Sequence, residues 1–165
     1  FHEGIMHDYI QDNNYSLNYK EERQLFISNK FRKTINELLK NNHKIILVYP
    51  MPEMGFHVPR QIYNAYKLNK LDFILNKKNY LGIPYKLYKE RTNSSFSLMD
   101  SIAGKNVHRV FPHKLFCNSI VDNKCVAHNE KNIFYLDDDH PNLIAADLIS
   151  NEIMNIINKI SSKKH

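Results

Sequence analysis

FYLDDDHPNLIAADLI, residues 134–149, is the stretch on which the reading of this fold turns. An apolar, strand-like run from Ile133 to Leu136 ends in three aspartates and a histidine, and an amphipathic helix follows at once. In α/β architectures, chemistry gathers beyond the carboxyl ends of the strands. Asp137 and His140, three residues apart, fall at such a place. There a carboxylate can fix the imidazole tautomer and stabilise its charged form, while the imidazole takes a proton from a hydroxyl nucleophile. The plainer alternative is a solvated acidic loop that caps a helix. Pro141 suits a first helical position, with His140 or Asn142 near the N-cap. Ala146, Ile149, Ile153, Ile156, Ile157 and Ile160 then predict one apolar face of a terminal helix packed on a sheet.

Upstream, Lys44 to Tyr49 in KIILVYPMPE is a continuous β-branched and aliphatic run stopped by prolines. It predicts a strand buried on both faces, as in a parallel sheet covered by helices. Before it, Ile27, Phe31, Ile35, Leu38 and Leu39 recur at helical spacing, which predicts a helix over 21–42. Glu21 and Glu22 at its start and Lys40 near its end suit the helix dipole, and Asn41-Asn42 close it. Residues 1–20 have no period and read as a loop. The loop after the strand, PMPEMGFHVPR (50–60), offers Glu53 and His57 as candidate substrate contacts; ordinary surface polarity is the alternative. Residues 61–81 predict one or two helices, and Ile83-Pro84 breaks that run. Tyr85 to Ala103 predicts another helix, with TNSS (92–95) as an interruption and Gly104 as its C-cap. Val107 to Phe111 predicts a short strand ended by Pro112, and SSKKH reads as a frayed tail.

The chain has 165 residues, enough for one domain with a real core: a loop over 1–20, an α/β body over 21–160 and a tail over 161–165. Its hydrophobic fraction is 42%, and no apolar run approaches the roughly 20 residues of a membrane helix. The formal charge is +6, but no arginine-rich stripe or nucleic-acid motif accompanies it. The chain starts at Phe1 without the basic end and apolar core of a signal peptide, so it reads as a piece of something longer or a processed product. Cys117 and Cys125 lie eight apart, with turn formers between them. Spacing alone leaves open whether they form a bridge, worth about 2–3 kcal/mol, or stay free and buried. A zinc site with His113 and His128 is a third option.

The order of these features resembles the C-terminal part of an SGNH (GDSL-like) hydrolase domain. More narrowly, it is similar to the SGNH domain fused to acyltransferase-three membrane proteins, which O-acetylate surface polysaccharides such as lipopolysaccharide O-antigen. Three local features carry the likeness: LVYPMPEMGFHVPR, the Cys117–Cys125 segment after VFPHKLF, and YLDDDHPNLIAA. For the last, the family usually shows Tyr-x-Asp-Asp-x-His-Leu-Ser ending in Gly-Ala. Here Pro141 stands for the Leu, Asn142 for the capping Ser and Ala145 for the Gly.

The resemblance implies a three-layer α/β/α fold with a parallel sheet, incomplete at the N-terminus. It implies an acyl-serine mechanism with His140 as base and then acid. Asp137 would be the orienting carboxylate, and Asp138 and Asp139 would serve the turn and the helix N-terminus. The family's Gly-Asp-Ser block is missing from this sequence, and Ser16, Ser28, Ser95, Ser101 and Ser119 lack its setting. The nucleophile is therefore expected upstream, and this piece alone is expected to be inactive. The expected partners are a glycan acceptor and an acyl donor relayed from a membrane acyltransferase domain of the same protein, with no cofactor or metal. The expected location is the periplasmic face of the bacterial inner membrane, in agreement with a Cys117–Cys125 bridge.

Two rivals remain. One is a non-catalytic glycan- or partner-binding module on the same scaffold. The other is a metal-dependent phosphoesterase built on the 137–140 cluster.

Overall fold

A computed structural model describes residues 17–162; of the loop expected over residues 1–20, residues 1–16 lie outside the described residues and 17–20 are helical. The chain divides into two compact units, the second beginning at Lys44. In the first, α1 spans Leu17–Lys40, starting four residues before the expected Glu21. No Gly or Pro interrupts this stretch. Ile27, Phe31, Ile35, Leu38 and Leu39 are its half-buried apolar positions, as the periodicity requires. Asn42 closes the helix in the left-handed region (φ 60°), which an Asn tolerates better than most residues.

The second unit is α/β with a small parallel sheet. β1 (Ile45–Val48) pairs in parallel with β3 (Val107–Val110), Ile45 opposite Val107 and Val48 opposite Val110. Burial of β1 is partial: Leu47 is buried, Ile45 and Ile46 are half-buried, and Val48 is 38% exposed. The expectation of a strand covered on both faces is therefore corrected; an aliphatic run signals a strand without fixing how many faces are covered.

After β1 the chain runs through α2 (Val58–Lys67), α3 (Leu71–Leu75) and a single 3₁₀ turn over Lys77–Asn79. β2 (Gly82–Pro84) then pairs antiparallel with β4 (Lys124–Val126). A Cβ on Gly82 would lie 2.1 Å from the carbonyl oxygen of Cys125, so this strand pair needs the bare backbone. α4 spans Tyr85–Asp100 without a break at TNSS, because the Thr92 hydroxyl donates to the Tyr88 carbonyl at 2.8 Å inside the helix. Its C-cap is Ser101 and not Gly104, which instead accepts from the Val107 N–H in the turn into β3.

α5 (His113–Phe116) leads to the cysteine segment, and α6 spans Leu143–Ser162, so the helix takes in the first two residues of the expected tail. Ala145 is buried, and Ala146, Ile149, Ile153, Ile156 and Ile160 are half-buried along one face of α6; Ile157, expected with them, is exposed. That face contacts β3. The core of the unit joins Met54, Val58, Ile83, Tyr88, Phe116, Val126, Phe134 and Tyr135. Its side chains thus come from the loop after β1, from β2 and β4, from α2, α4 and α5, and from the residues just before the acidic turn. No described helix is long and apolar enough to cross a membrane.

Candidate active site

Residues 133–136 do not form the expected strand. The Phe134 N–H donates to Ala127, and the Asn142 N–H donates to Phe134, leaving only isolated bridges. One of these sets Tyr135 against Pro141, and the Leu136 N–H donates to the His140 carbonyl at 2.9 Å, so the acidic residues form a closed turn. Pro141 therefore sits in a bridge and not at a first helical position. Asn142 caps α6: its Oδ1 accepts from the Ala145 N–H at 3.0 Å, and its Nδ2 donates to the Ile133 carbonyl at 2.6 Å.

Inside the turn, Asp137 Oδ1 accepts the N–H groups of Asp139 at 3.0 Å and His140 at 2.8 Å. This Asx-type turn folds His140 back onto the same carboxylate. Asp137 Oδ2 lies 2.8 Å from His140 Nδ1, and Asp139 Oδ1 lies 2.9 Å from the same nitrogen. Ionised carboxylate oxygens only accept, so Nδ1 carries the proton and Nε2 is the basic nitrogen of the neutral ring. The His140 N–H is the largest of the influences holding Asp137 well below the usual carboxylate range, and it outweighs partial desolvation. The hydrogen bond to Asp137 leads the causes that raise His140 above the ordinary imidazole value, followed by the charge of Asp139. The imidazole is 62% exposed, so substrate-sized molecules can reach it.

The turn rests on the loop after β1. The Met54 N–H donates to the Asp138 carbonyl at 2.7 Å, and the Val58 N–H donates to the Asp137 carbonyl at 2.9 Å. Val58 opens α2, so one of that helix's unsatisfied N–H groups is spent on the turn, and the positive end of its dipole lies beside three acids. From below, the Tyr135 hydroxyl donates to the Pro52 carbonyl at 2.7 Å and the Tyr88 hydroxyl to the Pro50 carbonyl at 2.8 Å. Burial pushes both phenols up, so they stay protonated donors. Glu53 and His57 are exposed on this loop. His57 Nδ1 accepts from the Arg60 N–H at 3.4 Å and so caps α2, while the Glu53 carbonyl accepts from Arg91 at 3.4 Å.

The resemblance gives Asp139 a part in the turn and the helix end, and its carboxylate also reaches the imidazole. The tyrosine–proline struts were not expected; no local spacing signals a contact between residues 38 or 83 positions apart.

Cys117 and Cys125 are joined by a disulfide, opposite one another across an antiparallel bridge. Asn118 (φ 56°) and Asn123 (φ 57°) turn the chain between them. With both sulfurs bonded, the zinc option on these cysteines is gone. His113 is instead stacked among Tyr85, Tyr88, Phe96 and Phe111, and His128 is bonded to Leu81 and Asn129. Asp137, Asp139 and His140 bring ligand-type atoms within 4.8 Å of one another. The nitrogen facing the two carboxylates is the protonated one, so a cation there would first have to displace that proton. Two surface hollows, one beside Lys86 and Lys89 and one beside Lys44 and Lys159, do not include the turn.

The family model described as the SGNH domain (fused to AT3 domains) matches residues 3–155. No curated protein and no solved structure matches the chain at a significant level.

Proposed function

The chain belongs to the family of SGNH domains fused to AT3 domains, a family of esterase and acyltransferase type, and from that premise we propose that Asp137 and His140 are two members of a Ser-His-Asp centre. The observation that carries this reading is the 2.8 Å contact between His140 Nδ1 and Asp137, whose other oxygen is fixed by two backbone N–H groups. A carboxylate held in this way keeps the ring in one orientation and compensates the charge it gains.

In the proposed reaction, His140 Nε2 takes the serine proton as Oγ bonds to the carbonyl carbon of an acyl ester. His140 then returns that proton to the departing oxygen, leaving an acyl-serine. A second hydroxyl, from a sugar or from water, repeats the exchange and releases the acyl group. The serine belongs to a Gly-Asp-Ser block that these 165 residues do not contain.

The proposed acceptor is a surface polysaccharide hydroxyl, and the proposed donor is an acetyl group relayed by the AT3 membrane domains. Glu53 and His57, on the loop bonded to the turn, are proposed to contact the acceptor. The disulfide supports placing the domain in an oxidising compartment such as the periplasm.

The test is acetyl-ester hydrolysis in a protein that also carries the Gly-Asp-Ser block, comparing wild type with His140→Ala. A fall in kcat of roughly 10⁴-fold or more is expected, and undiminished turnover would refute the assignment. A chelator, included in the same assay, leaves the serine reaction untouched; loss of activity with chelator would favour a metal-dependent mechanism on the 137–140 cluster.

A further inference from the structure

We infer that Asp139 is a second positioning residue for His140: its carboxylate lies at ion-pair distance from the nitrogen whose proton Asp137 accepts, so it can take over that proton and hold the imidazole in the tautomer that leaves Nε2 basic. This inference deepens the proposed acyl-transfer reading and draws its catalytic meaning from it.

Both oxygens lie close to the nitrogen: that of Asp137 at 2.8 Å as its hydrogen-bond acceptor, and that of Asp139 at 2.9 Å as an ion-pair contact. Their origins differ. Asp137 builds the turn, using Oδ1 for two backbone N–H groups and Oδ2 for the ring. One of those N–H groups belongs to Asp139, so the bond that folds the turn also helps set Asp139 against the imidazole. The Asp139 side chain is the better shielded of the two, 11% exposed against 35% for Asp137, and its charge is correspondingly less screened by water.

The arrangement changes what an aspartate-to-asparagine substitution does. With a single orienting carboxylate, the asparagine amide faces the ring with N–H groups and forces the other tautomer. Here Asp137→Asn still offers Oδ1 to the two backbone N–H groups, and Asp139 remains to accept from Nδ1. The ring keeps its Nδ1–H form. Removing both carboxylates withdraws both of these contacts.

The test is nitrogen-resolved NMR of the His140 ring across a pH titration, which needs no catalytic activity. The proteins are the 165-residue wild type, Asp137→Asn, Asp139→Asn, the double variant and Asp138→Asn. Among the described residues, the other charged groups on the segments bonded to the turn are Asp138 on the turn itself and Glu53 and His57 on the loop after β1; the first charged residue along α6 is Asp147. Asp138→Asn therefore serves as the control for charge without contact.

Either contact variant should lower the His140 midpoint part of the way and keep the Nδ1–H tautomer. The double variant should lower the midpoint most and lose the fixed Nδ1–H tautomer, and Asp138→Asn should shift the midpoint least. A midpoint and tautomer unchanged in Asp139→Asn would overturn the inference, as would an equal shift in Asp138→Asn. Should Asp139→Asn fail to fold, Asp139→Glu keeps the charge but displaces the oxygen; a lowered midpoint supports the contact, and an unaltered one refutes it. Failure here leaves the His140→Ala assay unaffected, and failure of that assay leaves this titration unaffected.

Discussion

His113 and His128 are both buried and both titrate below the ordinary imidazole value, with desolvation as the leading cause. His128 is satisfied as a neutral ring: Nε2 accepts from the Leu81 N–H at 3.0 Å, and Nδ1 lies 3.0 Å from the Asn129 carbonyl. His113 Nδ1 has no partner among its aromatic neighbours. The unfolded chain protonates both near pH 6.5, while the folded chain resists until lower pH. Their contribution to stability is thus present above about pH 6.5 and lost as pH falls below it. His140 has the opposite sign: its folded value is raised, so its contribution is present below about pH 6.5 and lost as pH climbs through the raised value. Exposure to water discounts it. Asp137, held low by the His140 N–H first, contributes above the ordinary carboxylate range and loses that contribution only as strong acid reaches its depressed value. The buried pair should therefore prevail, and urea denaturation is expected to show falling stability between about pH 7 and pH 5. His113→Phe should flatten part of that fall and add about 1 kcal/mol at neutral pH by removing an unsatisfied polar atom; an unchanged slope would discount His113 as a cause. At this scale the sequence revealed the contact between Asp137 and His140, because an Asx turn spans three residues. Asp139 stayed hidden, since carboxylates two positions apart converge on one ring only once the turn is closed.

Among the elements, α1, β1, β3 and α6 were legible from the periodicity of their apolar residues and from proline stops. The three-residue strands β2 and β4 were not, because so short a segment has no period, and their pairing is set by contacts some forty residues apart. The expected strand at 133–136 failed for a related reason: Phe134 and Tyr135 face the core, but Leu136 is exposed and the backbone partners lie singly at Ala127, His140 and Asn142. The start of α6 carries the plainest energetic consequence. Asn142 satisfies an N–H of the helix and a carbonyl of the preceding segment together, so Asn142→Ala should cost about 1–2 kcal/mol in chemical denaturation. Asn142→Ser, which keeps the capping oxygen but loses the amide donor, should cost less. Equal losses would mean that the cap is not what holds this junction.

For the whole molecule, the Cys117–Cys125 bridge closes a short ring with a sequence separation of eight, which the chain-entropy account values at about 2.5 kcal/mol. Cys117→Ser with Cys125→Ser should lower the urea-derived stability by about that amount, and no loss would assign the bridge no part in holding the fold. Read from sequence, the two cysteines showed that a bridge was possible, and only the turn at Asn118 and Asn123 showed that the thiols meet. The seating of the acidic turn on the loop after β1 reaches further. Because the amides of Met54 and Val58 are bonded to the Asp138 and Asp137 carbonyls, they can trade hydrogen for deuterium only when the turn lifts away. Two protons some eighty positions earlier in the chain thus act as sentinels for the imidazole. Their exchange should quicken together in Asp137→Ala and stay slow in His140→Ala, giving a clock for motions of the centre that can be read without substrate.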